Sequence, residues 1–70
     1  MSTQSSIIYM ANQIARNLAV NGDDAAVEAM TAHIKAFWDP RMRSLIIASP
    51  AEGLDPIAAR AVAALRAASV

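Results

Sequence analysis

Pro40 decides how this chain can be built. It follows Asp39 at the end of a run with helical apolar spacing, and a helix cannot pass it. The ring lacks an N–H and blocks the turn before it. The same ring suits the first position of a new helix, with the Asp39 carboxylate placed to accept from the free N–H groups there. One helix therefore ends near Trp38 and another starts at Pro40, and His33 to Arg43 form a corner between them. That corner holds the only His, the only Phe and the only Trp, with three of the six cationic residues: Lys35, Arg41 and Arg43. Asp55-Pro56 repeats the same device further on.

Around these two marks the apolar residues recur at helical spacing. Ile7, Met10, Ala11, Ile14, Ala15 and Leu18 make one stripe. They predict a helix over about 6–20, capped by Ser5 or Ser6, after a frayed tail over 1–5. Asn21-Gly22 ends it, with Gly22 suited to a left-handed C-cap. Asp23 and Asp24 then cap a second helix over about 24–38, and Glu28 adds charge that suits the positive end of its dipole. Its stripe is Val27, Met30, Ile34, Phe37 and Trp38. A third helix over about 40–48 presents Met42, Leu45, Ile46 and Ser49, with Arg43 and Ile47 four apart on a different face, so that Ile47 reads either as part of a broad core face or as a contact site. Ser49 to Gly53 is a loop, with Pro50 and Gly53 as breakers. The fourth helix, about 56–68, carries Ile57, Ala58, Ala61, Val62, Leu65 and Ala68 and is apolar almost all round. No β-rich run, repeat or linker interrupts this pattern. The expected fold is all-α, a small bundle of four short helices in one domain over 1–70.

A core of this size is marginal, because a small fold buries a smaller share of its surface. There is no Cys, hence no disulfide or thiolate metal site. One His and scattered carboxylates make no metal cage. With zero formal net charge the chain lacks the surplus of cations that nucleic acid requires. No apolar run approaches the ~20 residues that span a bilayer, and the polar start is no secretory signal. The expected compartment is the cytoplasm. Hydrophobic residues reach 56% against 17% charged, more apolar surface than a lone mini-domain needs, and this points to a partner.

Two places are candidates for that contact. The first is the amide-rich outer face of the first helix, with Asn12, Gln13 and Arg16; amides cost less to strip of water than charges do. It reads otherwise as a solvated face. The second is the corner, with Trp38, Arg41, Arg43 and Ile47, since Trp and Arg are frequent at binding hot spots. Trp38 follows the apolar stripe, so it reads as a core residue, an interface anchor, or both if half-buried. His33 reads as a packed or solvated side chain. No Gly-rich phosphate loop and no Ser-His-Asp set exists, so no catalytic, cofactor-binding or metal-ligating residue is expected. The residues support a helical interaction module rather than an enzyme.

Met10-Ala11-Asn12-Gln13-Ile14-Ala15 in the first helix, with His33-Ile34 and Phe37-Trp38-Asp39-Pro40-Arg41-Met42-Arg43 in the corner, resembles the delta subunit of bacterial NAD-dependent, molybdenum- or tungsten-containing formate dehydrogenases. The likeness covers roughly residues 6 to 66 and is sharpest in the corner. It implies a cytoplasmic complex that oxidises formate to carbon dioxide. In it an alpha subunit holds a bis-pterin guanine dinucleotide metal centre and iron–sulfur clusters. Beta and gamma subunits carry FMN and further clusters and reduce NAD. It further implies that this chain holds no redox cofactor and is an accessory subunit that docks on the alpha subunit and supports its maturation or assembly. The residues alone leave another class open, a self-associating helical adaptor or small regulator unrelated to a dehydrogenase.

Overall fold

Both Asp-Pro pairs start helices. The computed structural model describes residues 3–68, apart from the side chain of Ala51. Helix α1 covers Thr3–Leu18, α2 covers Asp23–Phe37, α3 covers Pro40–Ile47 and α4 covers Pro56–Ala68. Short 3-10 turns at Ala19–Asn21 and Ala51–Gly53 complete the chain path. Among the described residues there is no strand, and the fold is all-α. At α3 the Asp39 Oδ1 accepts from the Met42 N–H at 2.8 Å, with Pro40 at the first helical position. At α4 the Asp55 Oδ1 accepts from the Ile57 N–H at 3.3 Å, and the Asp55 carbonyl from the Ala59 N–H at 2.8 Å. Each carboxylate satisfies a first-turn donor that has no partner within its own helix.

The ends of α1 and the start of α2 differ from the sequence expectation. Thr3, Gln4 and Ser5 are helical rather than a frayed tail, so Ser5 and Ser6 lie within α1 instead of capping it; Met1 and Ser2 lie outside the described residues. Burial of Ile7 against the core, at 5% exposure, holds this first stretch to the bundle. At the other end α1 tightens into the 3-10 turn, and the Gly22 N–H donates to the Ala19 carbonyl at 3.0 Å. Gly22 has φ 93° and ψ 153°. Its φ is positive as expected, but the ψ is that of a Gly-only extended region and not of a left-handed cap. Gly22 is also the N-cap of α2, its carbonyl accepting from the Ala26 N–H at 2.8 Å. Asp23 and Asp24 therefore sit inside the first turn and act on the helix dipole rather than as caps.

The core draws on all four helices: Ile7, Ala11 and Ala15 from α1, Ala26, Met30 and Ile34 from α2, Ile46 from α3, and Ile57, Ala58, Ala61, Val62 and Leu65 from α4. Five of these are alanines with no exposed surface, Ala11, Ala15, Ala26, Ala58 and Ala61. Small side chains let the helix backbones approach closely, and the few large ones that are wholly buried, Met30, Ile34, Ile46 and Val62, fill what remains. α2 and α4 lie side by side and run the same way. Asp24 in the first turn of α2 is ion-paired to Arg60 early in α4 at 2.8 Å, and Lys35 in the last turn of α2 shares a groove with Leu65 and Ala68 late in α4. The outward side of α4 is apolar only in the sense that it is alanine: Ala63, Ala64, Ala67 and Ala68 are exposed.

The two adjacent aromatics part company at the corner. Helix geometry ends at Phe37, and Trp38 turns extended at φ −81° and ψ 136° while its N–H still donates to the Ile34 carbonyl. The indole is 6% exposed and belongs to the core. Phe37, expected in the buried stripe, is 76% exposed. Its ring lies 5.0 Å from that of His33, tilted by 39°.

Candidate functional site

The corner places one arginine in a groove and the other outside it. Residues two apart on a helix do not face the same way, so Arg41 and Arg43 point to different sides of α3. Arg43 is half-buried and lines an open groove of about 600 Å³ with Pro40, Ser44 and Ile47 of α3. Lys35 of α2 and Leu65 and Ala68 of α4 complete the walls. Arg41 is exposed and lies outside this set. Ile47 is half-buried and packs against the core, as the reading of a broad core face expects, and it also lines the groove. Its carbonyl accepts from the Arg66 Nη2 at 2.7 Å, which supplies a partner to one of the carbonyls that a helix end leaves open.

Trp38 is not on this surface. It is buried at the corner as part of the core. The amide face of α1 is also divided. Asn12 is half-buried, with its Nδ2 donating to the Gly53 carbonyl at 3.0 Å and its Oδ1 accepting from the Asp55 N–H at 2.8 Å. Both ends of the amide are thus occupied within the chain, and Asn12 is a latch between α1 and the loop before α4. Gln13 is exposed and donates from Nε2 to the Tyr9 hydroxyl at 2.9 Å. Arg16 is exposed in the last turn of α1, where a cation suits the negative end of the dipole.

Of the seven residues expected to meet a partner, only Arg43 and Ile47 come together. The residue that joins them, Lys35, was available in the sequence as the third cation of the corner. Its role needed the knowledge that the chain doubles back at Pro40 and brings the last turn of α2 against α3. Leu65 and Ser44 carried no signal beyond helical spacing. Among the described residues neither the Lys35 ammonium nor the Arg43 guanidinium has a hydrogen-bond or ion-pair partner.

A second, shallower groove runs between α2 and α4, lined by Asp24, Val27, Thr31 and Ala32 of α2 with Ala64 of α4, and it shares Lys35 with the first. The two grooves, joined at Lys35, thus run from an acidic end, with Asp24 and Glu28, to a basic end, with Lys35 and Arg43. Zero net charge conceals this separation. In α2 each sign lies at the end of the helix that the macrodipole favours.

Among the described residues no group of three His, Cys, Asp or Glu side chains converges to hold a metal, and no helix is long and apolar enough to cross a membrane. No curated protein and no solved structure matches the chain. The family model of the NADH-dependent formate dehydrogenase delta subunit, FdsD, matches residues 6–62. The match takes in most of α1, all of α2, the corner, α3 and the first half of α4. It contains the Lys35 and Arg43 walls of the groove, and covers far more than half of the sequence. By that coverage the chain belongs to the delta-subunit family of NADH-dependent formate dehydrogenases.

Proposed function

We propose that this chain is a non-catalytic accessory subunit that docks on the catalytic alpha subunit of a formate dehydrogenase and supports its assembled, cofactor-loaded state. The observation that carries the reading is the family match over the corner and the α2 and α3 walls of the groove, where a half-buried arginine and a lysine have no partner among the described residues. A bare Phe37 lies on the same corner stretch, and an exposed aromatic of that size is a natural contact for another subunit. The chain supplies no redox chemistry of its own. It has no Cys, and its one His is exposed against Phe37. The bis-pterin metal centre, iron–sulfur clusters, FMN and NAD belong to the alpha, beta and gamma subunits of the cytoplasmic complex.

Such a subunit acts by differential binding. If it binds the loaded alpha subunit better than the empty one, it shifts the population towards the loaded form by the ratio of the two affinities. The experiment is to purify the dehydrogenase from cells with and without this chain and measure the metal and pterin per alpha subunit. The expected result is a complex that contains this chain, and a lower cofactor content or lower yield of assembled complex without it. Full cofactor and full assembly in its absence would overturn the supporting role. A chain that forms a stable homodimer at low micromolar concentration and ignores the dehydrogenase would instead be a self-associating adaptor.

A further inference from the structure

We propose that the Lys35–Arg43 end of the groove is the receptor for an acidic side chain with an apolar neighbour, presented by the catalytic subunit on which the chain docks. The inference rests on the docking role proposed above and names the chemistry of the contact. Arg43 brings a planar fork of five donors, and it is half-buried. Lys35 adds a second cation on the facing wall. Nothing acidic in the described chain answers them. Asp24 is taken by Arg60, and Asp39 and Asp55 are taken by the helix starts that they cap. Asp23 stands in the first turn of α2 and Glu52 in the turn before α4, and Glu28, which lines the shallower groove with Lys35, makes no ion pair with it. The positive charge of the groove is therefore uncompensated within the described chain, and a carboxylate matches it in sign and, for Arg43, in bidentate geometry.

The walls narrow the class further. Ile47 and Leu65 give the groove an apolar side. A free inorganic anion gains nothing from it, whereas a peptide that carries Asp or Glu beside an apolar residue buries both. Nucleic acid is a poor match, because a chain of zero net charge with a few clustered cations lacks the extended basic track that a phosphate backbone needs. Beyond Lys35 the furrow is lined by Ala32 and Ala64, whose small side chains leave room for the partner's backbone to approach.

The composition offers a direct test. Lys35 is the only lysine in the chain. A zero-length carbodiimide joins an amine only to a carboxylate in direct contact. Treatment of the intact complex, followed by mass spectrometry of the digested product, is expected to give an amide between Lys35 and an Asp or Glu of the catalytic subunit. A complex that contains the chain but leaves Lys35 uncoupled, and as open to acetylation as in the isolated chain, overturns the proposal. So does coupling of Lys35 to a carboxylate of its own chain. The variant Lys35→Glu/Arg43→Glu is expected to lower retention in the complex at least about thirtyfold, the fold-change of a single hot spot, with unchanged helical circular dichroism. Glu52→Lys, an exposed change outside the groove, is expected to stay bound. Retention of the folded double variant at the wild-type level overturns the groove while leaving the docking role intact. Failure of the wild-type chain itself to co-purify overturns the docking role and the groove with it.

Discussion

Replacement of Asn12 by Ala removes two hydrogen bonds at once, to the Gly53 carbonyl at 3.0 Å and from the Asp55 N–H at 2.8 Å. Each links α1 to a residue more than forty positions away, so the pair fixes where α4 begins. Net hydrogen-bond contributions of about 0.5–1.5 kcal/mol each give ~2 kcal/mol for the pair. The site is only part-buried, and water can reach the freed carbonyl and N–H, which keeps the loss from rising to the full cost of a buried orphan. A domain of this size has only about 3–5 kcal/mol to lose. For it, ~1 kcal/mol moves the midpoint by about 4–8 °C, so Asn12→Ala is expected to lower Tm by roughly 8–16 °C. Asn12→Asp separates the two bonds. It keeps an acceptor for the Asp55 N–H but sets a carboxylate oxygen against the Gly53 carbonyl, and it is expected to be no more stable than the Ala variant. Thermal melts by circular dichroism measure both, and amide exchange at Asp55 reports the latch directly. A Tm within about 2 °C of wild type for Asn12→Ala, with Asp55 exchange unchanged, would refute the reasoning and show that solvent replaces the latch without loss.

The neighbouring aromatics predict opposite outcomes. Trp38→Ala opens the core and is expected to cost ~3–5 kcal/mol, enough to leave the chain largely unfolded at 37 °C by circular dichroism. Phe37→Ala, at a 76% exposed site, is expected to change stability by less than about 0.5 kcal/mol in the same melt. Gly22→Ala meets no atom within 4 Å of the added Cβ, so its cost is purely that of φ 93° in a residue with a side chain. A loss of ~1–3 kcal/mol in urea unfolding is expected.

What could be read from the sequence was local. Pro40 and Pro56 forbid a continuing helix whatever surrounds them, so the starts of α3 and α4 followed from two residues each. The stripe of α1 placed Ile7, Ala11 and Ala15 in the core because one helix face is enough to decide it, although it also took in Met10, which is 42% exposed; α4, apolar almost all round, offered no single face to choose. Spacing could not choose between Phe37 and Trp38. The helix ends between them, and the side chain that follows a break obeys the new backbone direction rather than the old period. Asn12 was misplaced for a different reason. Its partners lie across the bundle, and an amide on an outer face looks the same whether it meets water, another subunit or its own distant loop. The groove needed tertiary structure for the same reason: Lys35, Arg43 and Leu65 belong to three helices that no periodicity relates.

The five sealed alanines also set the directions in which this sequence can drift. A larger side chain at Ala11, Ala15, Ala26, Ala58 or Ala61 would push packed helices apart, an overpacking that costs ~1–3 kcal/mol. A smaller one is only glycine, which costs about 1 kcal/mol in a helix interior. Neither loss leaves much in a domain with so small a reserve. The large core residues have exchanges of similar volume, and the exposed positions have many. Variation among viable descendants of this chain is therefore expected to gather on Tyr9, Val20 and the outer turns, while its plainest side chains stay as they are.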